Sequence, residues 1–174
     1  SILGGADNEI RRTSHEGFME ITFYGDYATI SGGSENETYA NYASINGGFL
    51  NKIQTICSDA NGCKTGEHGT ISGGSQNRVK GNYASISGGS MNETSGISSS
   101  TCGGQNNFAS GDYASVSGGQ YNQAIGDYSA ISGGGSDNLG YGNIAEGNYS
   151  SICGGDGNQT HANTSSILGG RRNT

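Results

Sequence analysis

The sequence has few hydrophobic residues, few charges, and no proline or tryptophan. Only 30% of its 174 residues are hydrophobic and 34 are glycine, a composition that taken alone is typical of disordered, low-complexity chains. A fixed repeat argues against disorder, because a repeat architecture can bury a thin core with few apolar residues per unit. The spacing of the residues, more than their abundance, therefore indicates the fold.

Basic residues and long apolar runs are also scarce. The chain has 8 lysine and arginine residues against 15 acidic residues, and its net charge is −7. A nucleic-acid partner requires a basic stripe, which the short pairs at 11–12 and 171–172 do not supply, so we expect no nucleic-acid partner. No apolar run is long enough to cross a bilayer, so we expect no membrane span. Four cysteines are too few to define a disulfide scaffold.

A unit of 15 residues recurs along the chain: GDYASVSGG at 111–119 returns as GDYSAISGG at 126–134. The residue two positions before each double glycine is usually isoleucine, and we call it the anchor. The anchors are Ile2, Ile30, Ile45, Ile71, Ile86, Thr101, Val116, Ile131, Ile152 and Ile167. Longer intervals between anchors contain insertions at 55–65 and 135–142. Residues 9–24 fit the repeat poorly and are interpreted as an irregular capping or hairpin segment.

Apolar and polar residues alternate within each repeat. Ala114 and Val116 share one face, whereas Tyr113 and Ser115 share the other. This pattern predicts a short strand, then a glycine turn, then a second short strand such as 122–125. Because one repeat buries too little to offset the entropy of ordering it, the repeats must stack. We therefore predict one all-β domain over 1–174, a parallel β-solenoid (β-roll or β-helix) of about ten coils with two short strands each.

Asparagine recurs at one position of every repeat, on the same face as the small or apolar residue two positions later. Stacked coil on coil, these amides would form a hydrogen-bonded ladder that satisfies backbone groups of the turn. The alternative is that asparagine only tolerates a turn conformation. The ladder is favoured because the column has no exception. Its predicted members are Asn36, Asn51, Asn77, Asn92, Asn107, Asn122, Asn143 and Asn158.

The outward face predicts an interaction surface. Three residues before the anchor lies a tyrosine row, and serine or threonine usually flanks the anchor. The row consists of Tyr27, Tyr42, Tyr83, Tyr113, Tyr128 and Tyr149. A regular array of hydroxyl side chains is also typical of ice-binding β-solenoids. Those proteins typically have threonine at both positions of the array, whereas here only Thr29 and Thr70 are threonines directly before an anchor. Exposed tyrosines fit a packing or adhesive interface better.

The cysteines fall into two classes. Cys57 and Cys63 close a short loop inside an insertion, and we predict a disulfide between them; in a reducing compartment they would be free thiols. Cys102 and Cys153 each follow an anchor, on the outward face, three coils apart. That separation, about 14 Å at the spacing of stacked strands, is too long for a bridge. If oxidised, Cys102 and Cys153 are expected to link to neighbouring chains.

Five sequons make N-linked glycans the other predicted modification. They begin at Asn36, Asn92, Asn148, Asn158 and Asn163. Three of them coincide with the inward asparagine column and are interpreted as by-products of the repeat. Asn148 and Asn163 lie near an exposed turn and are the better acceptors in a secreted protein. We accordingly expect an extracellular or cell-surface location.

No set of residues has the pattern of a catalytic or metal site. The three histidines, at 15, 68 and 161, have no metal-ligand spacing on a common face. A column with aspartate at 26, 112 and 127 is interrupted by asparagine, glutamate and isoleucine, so a calcium-binding roll is a minor alternative. The serines follow the repeat and lack an associated base. We expect no enzyme, no catalytic residue, no metal and no cofactor.

The motif Ala-Ser-Ile-Ser-Gly-Gly-x-x-Asn-x-Ala-x-Gly, over roughly residues 25–173, resembles the head repeats of trimeric autotransporter adhesins. The resemblance implies a left-handed parallel β-roll and a trimer. The usual repeat of that family is one residue shorter and has a single glycine after its Ala-Ile, whereas this chain has a double glycine and a tyrosine row.

These patterns favour a non-enzymatic structural protein, a building block of an extracellular fibre, filament or adhesin. Its expected partners are copies of itself, joined head to tail, laterally or as a trimer. SILGG at 1–5 recurs at 166–170, which predicts either a segment of a longer array or end coils that stack on adjacent copies. The alternative is a ligand-binding solenoid module, for ice or for a host surface.

Overall fold

The chain is a parallel β-solenoid, as the repeat predicts. The computed structural model describes residues 1–10, 26–54, 56–58, 62–64, 66–135 and 142–174, with the backbone alone for 56–58 and 62–64. Two parallel sheets of nine strands each run along the solenoid. These described ranges contain no helix, which agrees with a sequence built from two-residue apolar alternations and glycine turns.

Each coil between the first and the last contributes one strand to each sheet. The strands of the first sheet end on the anchors, and we call it the anchor sheet: Thr29–Ile30, Ser44–Ile45, Thr70–Ile71, Ser85–Ile86, Ser100–Thr101, Ser115–Val116, Ala130–Ile131, Ser151–Ile152 and Ser166–Ile167. The second sheet consists of Glu9–Ile10, Glu37–Thr38, Lys52–Ile53, Arg78–Val79, Glu93–Thr94, Phe108–Ala109, Gln123–Ala124, Ile144–Ala145 and Gln159–Thr160. Anchor-sheet neighbours pair in register, so each anchor lies beside the next.

The insertions leave this register unchanged. Ser44 pairs with Thr70 across the first insertion, and Ala130 pairs with Ser151 across the second. The first insertion contains an antiparallel pair of strands, Ile56–Ser58 and Gly62–Lys64. Residues 136–141 of the second lie outside the described ranges. Because the strands on either side of each insertion pair directly with one another, the stacking of coils is not interrupted.

The beginning of the chain differs in detail from the sequence expectation of about ten coils. Nine coils carry an anchor-sheet strand, because Ile2 makes an isolated parallel bridge to Ile30 and not a two-residue strand. Glu9–Ile10, at the start of the segment interpreted as irregular, forms a strand that pairs with Glu37–Thr38. The rest of that segment, residues 11–24, lies outside the described ranges.

The core is a thin double row of aliphatic side chains between the two sheets. It divides into two clusters, one ending at Ile86 and the other beginning at Ala109. Between them the inward positions are polar: Thr94, Ser99 and Thr101 are fully buried. The hydroxyls of Thr94 and Thr101 have no hydrogen-bond partner among the described residues, so this stretch of the core lacks both the apolar packing of the two clusters and hydrogen bonds to these two buried hydroxyls.

Candidate interaction surface

The asparagine column forms an unbroken hydrogen-bonded ladder inside one turn of the solenoid. Its eight members between Asn36 and Asn158 are at most 1% exposed. In a typical coil, Nδ2 of Asn107 donates to the Gly103 carbonyl and to the Gly119 carbonyl of the next coil, each at 2.9 Å. Its Oδ1 accepts the backbone N–H of Asn122 at 3.0 Å. The ladder therefore supplies hydrogen bonds to backbone groups of the glycine turn, including the Gly103 carbonyl and the Asn122 N–H.

The tyrosine row forms stacks of parallel rings on the opposite turn. All six tyrosines of the row are exposed, and each has a left-handed backbone, with φ between 55° and 59°. Tyr113, Tyr128 and Tyr149 form one stack, with ring centroids 4.8 Å apart. The other stack comprises Tyr27, Tyr42, His68 and Tyr83, with centroids 4.8 to 5.1 Å apart. The ring spacing matches the spacing of neighbouring strands, so within each stack successive coils each add one ring.

A second ladder, which the sequence reasoning missed, lies directly beside the tyrosine row. The residue before five of the six tyrosines of the row accepts a backbone hydrogen bond from the previous coil, as when Oδ1 of Asn148 accepts the N–H of Asp127 at 3.0 Å. Asn41, Asn82, Asp112, Asp127 and Asn163 accept in the same way. The sequence feature that indicates this ladder is the mixture of Asp and Asn in one column, since both side chains offer the same Oδ1 acceptor. The column therefore has a structural role.

The outward faces of the two sheets differ in charge. On the second sheet the register brings opposite charges together. Nζ of Lys52 lies 2.6 Å from Oε2 of Glu37. The Glu93 carboxylate lies 2.5 Å from Nζ of Lys80 and 3.6 Å from Nη1 of Arg78. On the anchor sheet, the residues directly before and after each anchor in the nine strands include no Asp, Glu, Lys or Arg. The anchor sheet thus presents a flat, uncharged face of mainly hydroxyl side chains, which suits close packing more than solvation.

The structure places the four cysteines in two different settings. Cys102 and Cys153 are exposed free thiols on the uncharged anchor-sheet face. The Cα atoms of Cys57 and Cys63 are direct partners in the antiparallel strand pair of the first insertion. Their side chains lie outside the described part of the structure, so a disulfide between them stays a prediction.

The sequons separate into buried and accessible positions. Asn36, Asn92 and Asn158 are buried, and each Nδ2 donates at least two hydrogen bonds. A glycan on any of them would require the coil to open. Asn148 is half-buried and Asn163 is exposed, so those two positions are the accessible acceptors in the folded chain.

No group of three or more His, Cys, Asp or Glu side chains that could hold a metal ion is found in the described ranges. His68 lies within the aromatic stack. His161 is exposed on the second sheet, where its Nδ1 lies 2.7 Å from Oε2 of Glu146. His15 lies outside the described ranges. Among the described residues, no helix has the length and apolarity needed to cross a membrane.

The acidity of Tyr128, the central ring between Tyr113 and Tyr149, is changed by its surroundings. Desolvation raises the pKa of the Tyr128 hydroxyl, and charges on Tyr113, Tyr149, Asp127 and Asp112 raise it further. The folded chain thus keeps this proton to higher pH than the unfolded chain. The associated stability is fully present below the ordinary tyrosine pKa and is lost as the pH rises through the raised value.

We expect Asp127→Asn to lower the pKa of Tyr128 while leaving the fold intact. Asparagine keeps the Oδ1 acceptor that Asp127 offers to the Asp112 N–H, as Asn148 does one coil later, and removes one negative charge beside the ring. Ultraviolet absorbance of tyrosinate, followed during an alkaline titration of protein made in bacteria, measures the change. A pKa that did not fall would show that Asp127 has no electrostatic effect on Tyr128.

Comparison with protein-family models found no match for this chain. Comparison with curated protein sequences also found none. The similarity to the autotransporter head repeats is therefore supported at the level of the parallel β-solenoid architecture.

Proposed function

We propose that this chain is a non-enzymatic structural protein, a rod-like building block of an extracellular fibre or surface adhesin that extends by the stacking of solenoid coils. The observation that carries the proposal is the asparagine ladder, in which the backbone N–H of each asparagine donates to Oδ1 of the asparagine one coil before it, from Asn8 to Asn173. Each coil stabilises the next in the same way, as in other repeat proteins. Such a rod can be lengthened by adding further coils with the same contacts.

The outermost described coil presents an edge that another coil can complete. In interior coils the asparagine Nδ2 donates to the glycine carbonyl of the next coil, as Asn158 does to Gly170 at 2.9 Å. In the outermost coil, Nδ2 of Asn173 instead donates to Oδ1 of Asn158 at 2.9 Å. A further coil, from the same chain or from another copy, would offer the usual carbonyl and continue both sheets.

The uncharged anchor-sheet face supports lateral association of such rods. Its side chains are small, and two flat faces can approach closely without burying an unpaired charge. Cys102 and Cys153 lie on this face as exposed thiols. We propose that in an oxidising extracellular setting they form disulfides between neighbouring chains. The trimer implied by the autotransporter resemblance is a third form of self-association.

A ligand-binding module is the second candidate function, favoured by the same flat hydroxyl face. Ordered hydroxyls at the coil spacing could bind an ordered surface, either ice or a host surface. The face is less regular than that function requires, because Ala130 interrupts the row before the anchor, and Asn46, Cys102, Cys153 and Leu168 interrupt the row after it. We therefore rank self-association first.

Sedimentation velocity and electron microscopy under non-reducing conditions, over a range of concentrations, test the proposal. We expect rods whose length rises with protein concentration. The double variant Cys102→Ser/Cys153→Ser is expected to remove lateral linkage and keep axial growth. A discrete species of three chains would support the trimer. A monomer at every concentration would contradict self-association, and thermal hysteresis in that sample would support ice binding.

A further inference from the structure

One interior coil, with a ring on the coil at each side of it, breaks the pattern of the aromatic column. At the tyrosine position this coil has Ser98, and at the preceding position, elsewhere Asp, Asn or Glu, it has Ile97. Ser98 keeps the left-handed backbone of the row, with φ of 54°. The same coil contains the buried polar residues Ser99 and Thr101. Departures from a repeat that lower stability and cluster in one coil are characteristic of functional positions.

The backbone passes through this coil without a shift. The N–H of Ser98 donates to the Asn82 carbonyl at 2.8 Å, and the N–H of Tyr113 donates to the Ile97 carbonyl at 2.8 Å. On the anchor sheet, Ser85, Ser100 and Ser115 pair in register. The rings of Tyr83 and Tyr113 therefore lie in line, two coils apart, with only the short Ser98 side chain between them.

The resulting slot has the width of one aromatic ring. Two coil steps separate the rings of Tyr83 and Tyr113 by about 9.6 Å. A planar group midway would lie about 4.8 Å from each ring, the same centroid spacing that Tyr113 and Tyr128 have. Tyr83 is 60% exposed, compared with 51% for Tyr42, which has a ring on both sides. One face of Tyr83 is thus open toward the slot.

We propose that this slot, formed by Tyr83, Tyr113, Ile97 and Ser98, binds one planar aromatic group that is neutral or positively charged. The group completes the column by stacking between two ring faces, which are electron-rich and attract cations. Ile97, 37% exposed, supplies an apolar edge in a column that is otherwise polar.

The surrounding charges select against anions. Oδ1 of Asp112 accepts the N–H of Ile97 at 2.8 Å, which holds this carboxylate at the edge of the slot. The chain as a whole has a net charge of −7. A planar cation is attracted by both the carboxylate and the ring faces, whereas a planar anion of equal size is repelled.

Proflavine, a planar aromatic cation that fluoresces, is a suitable probe. We expect fluorescence anisotropy to show one proflavine bound per chain at the slot. Ser98→Tyr places a ring in the slot and is expected to weaken this binding at least tenfold. Ser98→Ala leaves the slot open and is expected to bind as the original chain does. A planar aromatic sulfonate of similar size is expected to bind more weakly than proflavine.

Thr164→Tyr is the matched control, because it adds a tyrosine to the same column and leaves the slot unfilled. Thr164 has the same left-handed backbone, with φ of 59°. We expect this variant to bind proflavine as the original chain does at the slot. Circular dichroism confirms that each variant keeps the fold. Undiminished binding by Ser98→Tyr, or no binding by the original chain, would overturn the proposal.

Discussion

Asn107→Asp is expected to destabilise the protein by at least about 4 kcal/mol near neutral pH. Asn107 is 1% exposed, and its Nδ2 supplies hydrogen bonds to the carbonyls of Gly103 and Gly119. Aspartate has nearly the same shape and keeps the Oδ1 that accepts from Asn122. It loses both donated bonds, and its second oxygen would face two carbonyl oxygens. The carboxyl is therefore expected to have a raised pKa, which makes the loss of stability smaller at acidic pH.

Asn106→Asp is the matched control, one residue away. Asn106 has a left-handed backbone with φ of 53° and is half-buried. Aspartate already occupies the same repeat position as Asp7, with φ of 53°. We expect this variant to unfold in urea within about 0.5 kcal/mol of the original chain. If Asn107→Asp and Asn106→Asp unfolded alike, the ladder would not be the main link between coils.

Gly119→Ala is expected to destabilise the protein by about 3 kcal/mol or more. Gly119 has φ of +83°, in the left-handed region that disfavours a side chain. A Cβ there would lie 2.1 Å from the carbonyl oxygen of Gly134 in the next coil. Because the contacted atom belongs to the backbone, no side-chain rotation can remove the clash, and the two coils would have to separate. That movement would also lengthen the bond from the Gln120 N–H to the same oxygen, now 2.9 Å.

Gly118→Ala, at the other glycine of the same pair, is expected to leave stability unchanged or to raise it by up to about 1 kcal/mol. No atom lies within 4 Å of a Cβ built on Gly118, and its backbone is not left-handed. Alanine there reduces the freedom of the unfolded chain without a clash. Equal thermal midpoints for Gly118→Ala and Gly119→Ala would contradict the close approach of coils at the second glycine.

The sequence was informative wherever one coil repeats the chemistry of the next. Alternation around Val116 indicated an inward strand, and the inward face of Asn122 followed from the small residue two positions later. The ion pairs of the second sheet were not foreseen. They depend on which coil lies beside which, and only the register places Glu37 against Lys52.

The sequence by itself determined the parallel solenoid, its coil length, the inward asparagine column and the outward tyrosine row, because each is a local period that recurs in the chain. Only the tertiary structure decided which glycine of a pair has no room for a side chain. A Cβ on Gly119 would lie against the Gly134 carbonyl oxygen of the next coil, whereas a Cβ on Gly118 would meet no atom. The tertiary structure also decided that the tyrosines stack and that Ser98 leaves a slot. These features depend on contacts between residues about one coil or more apart, which no single repeat contains.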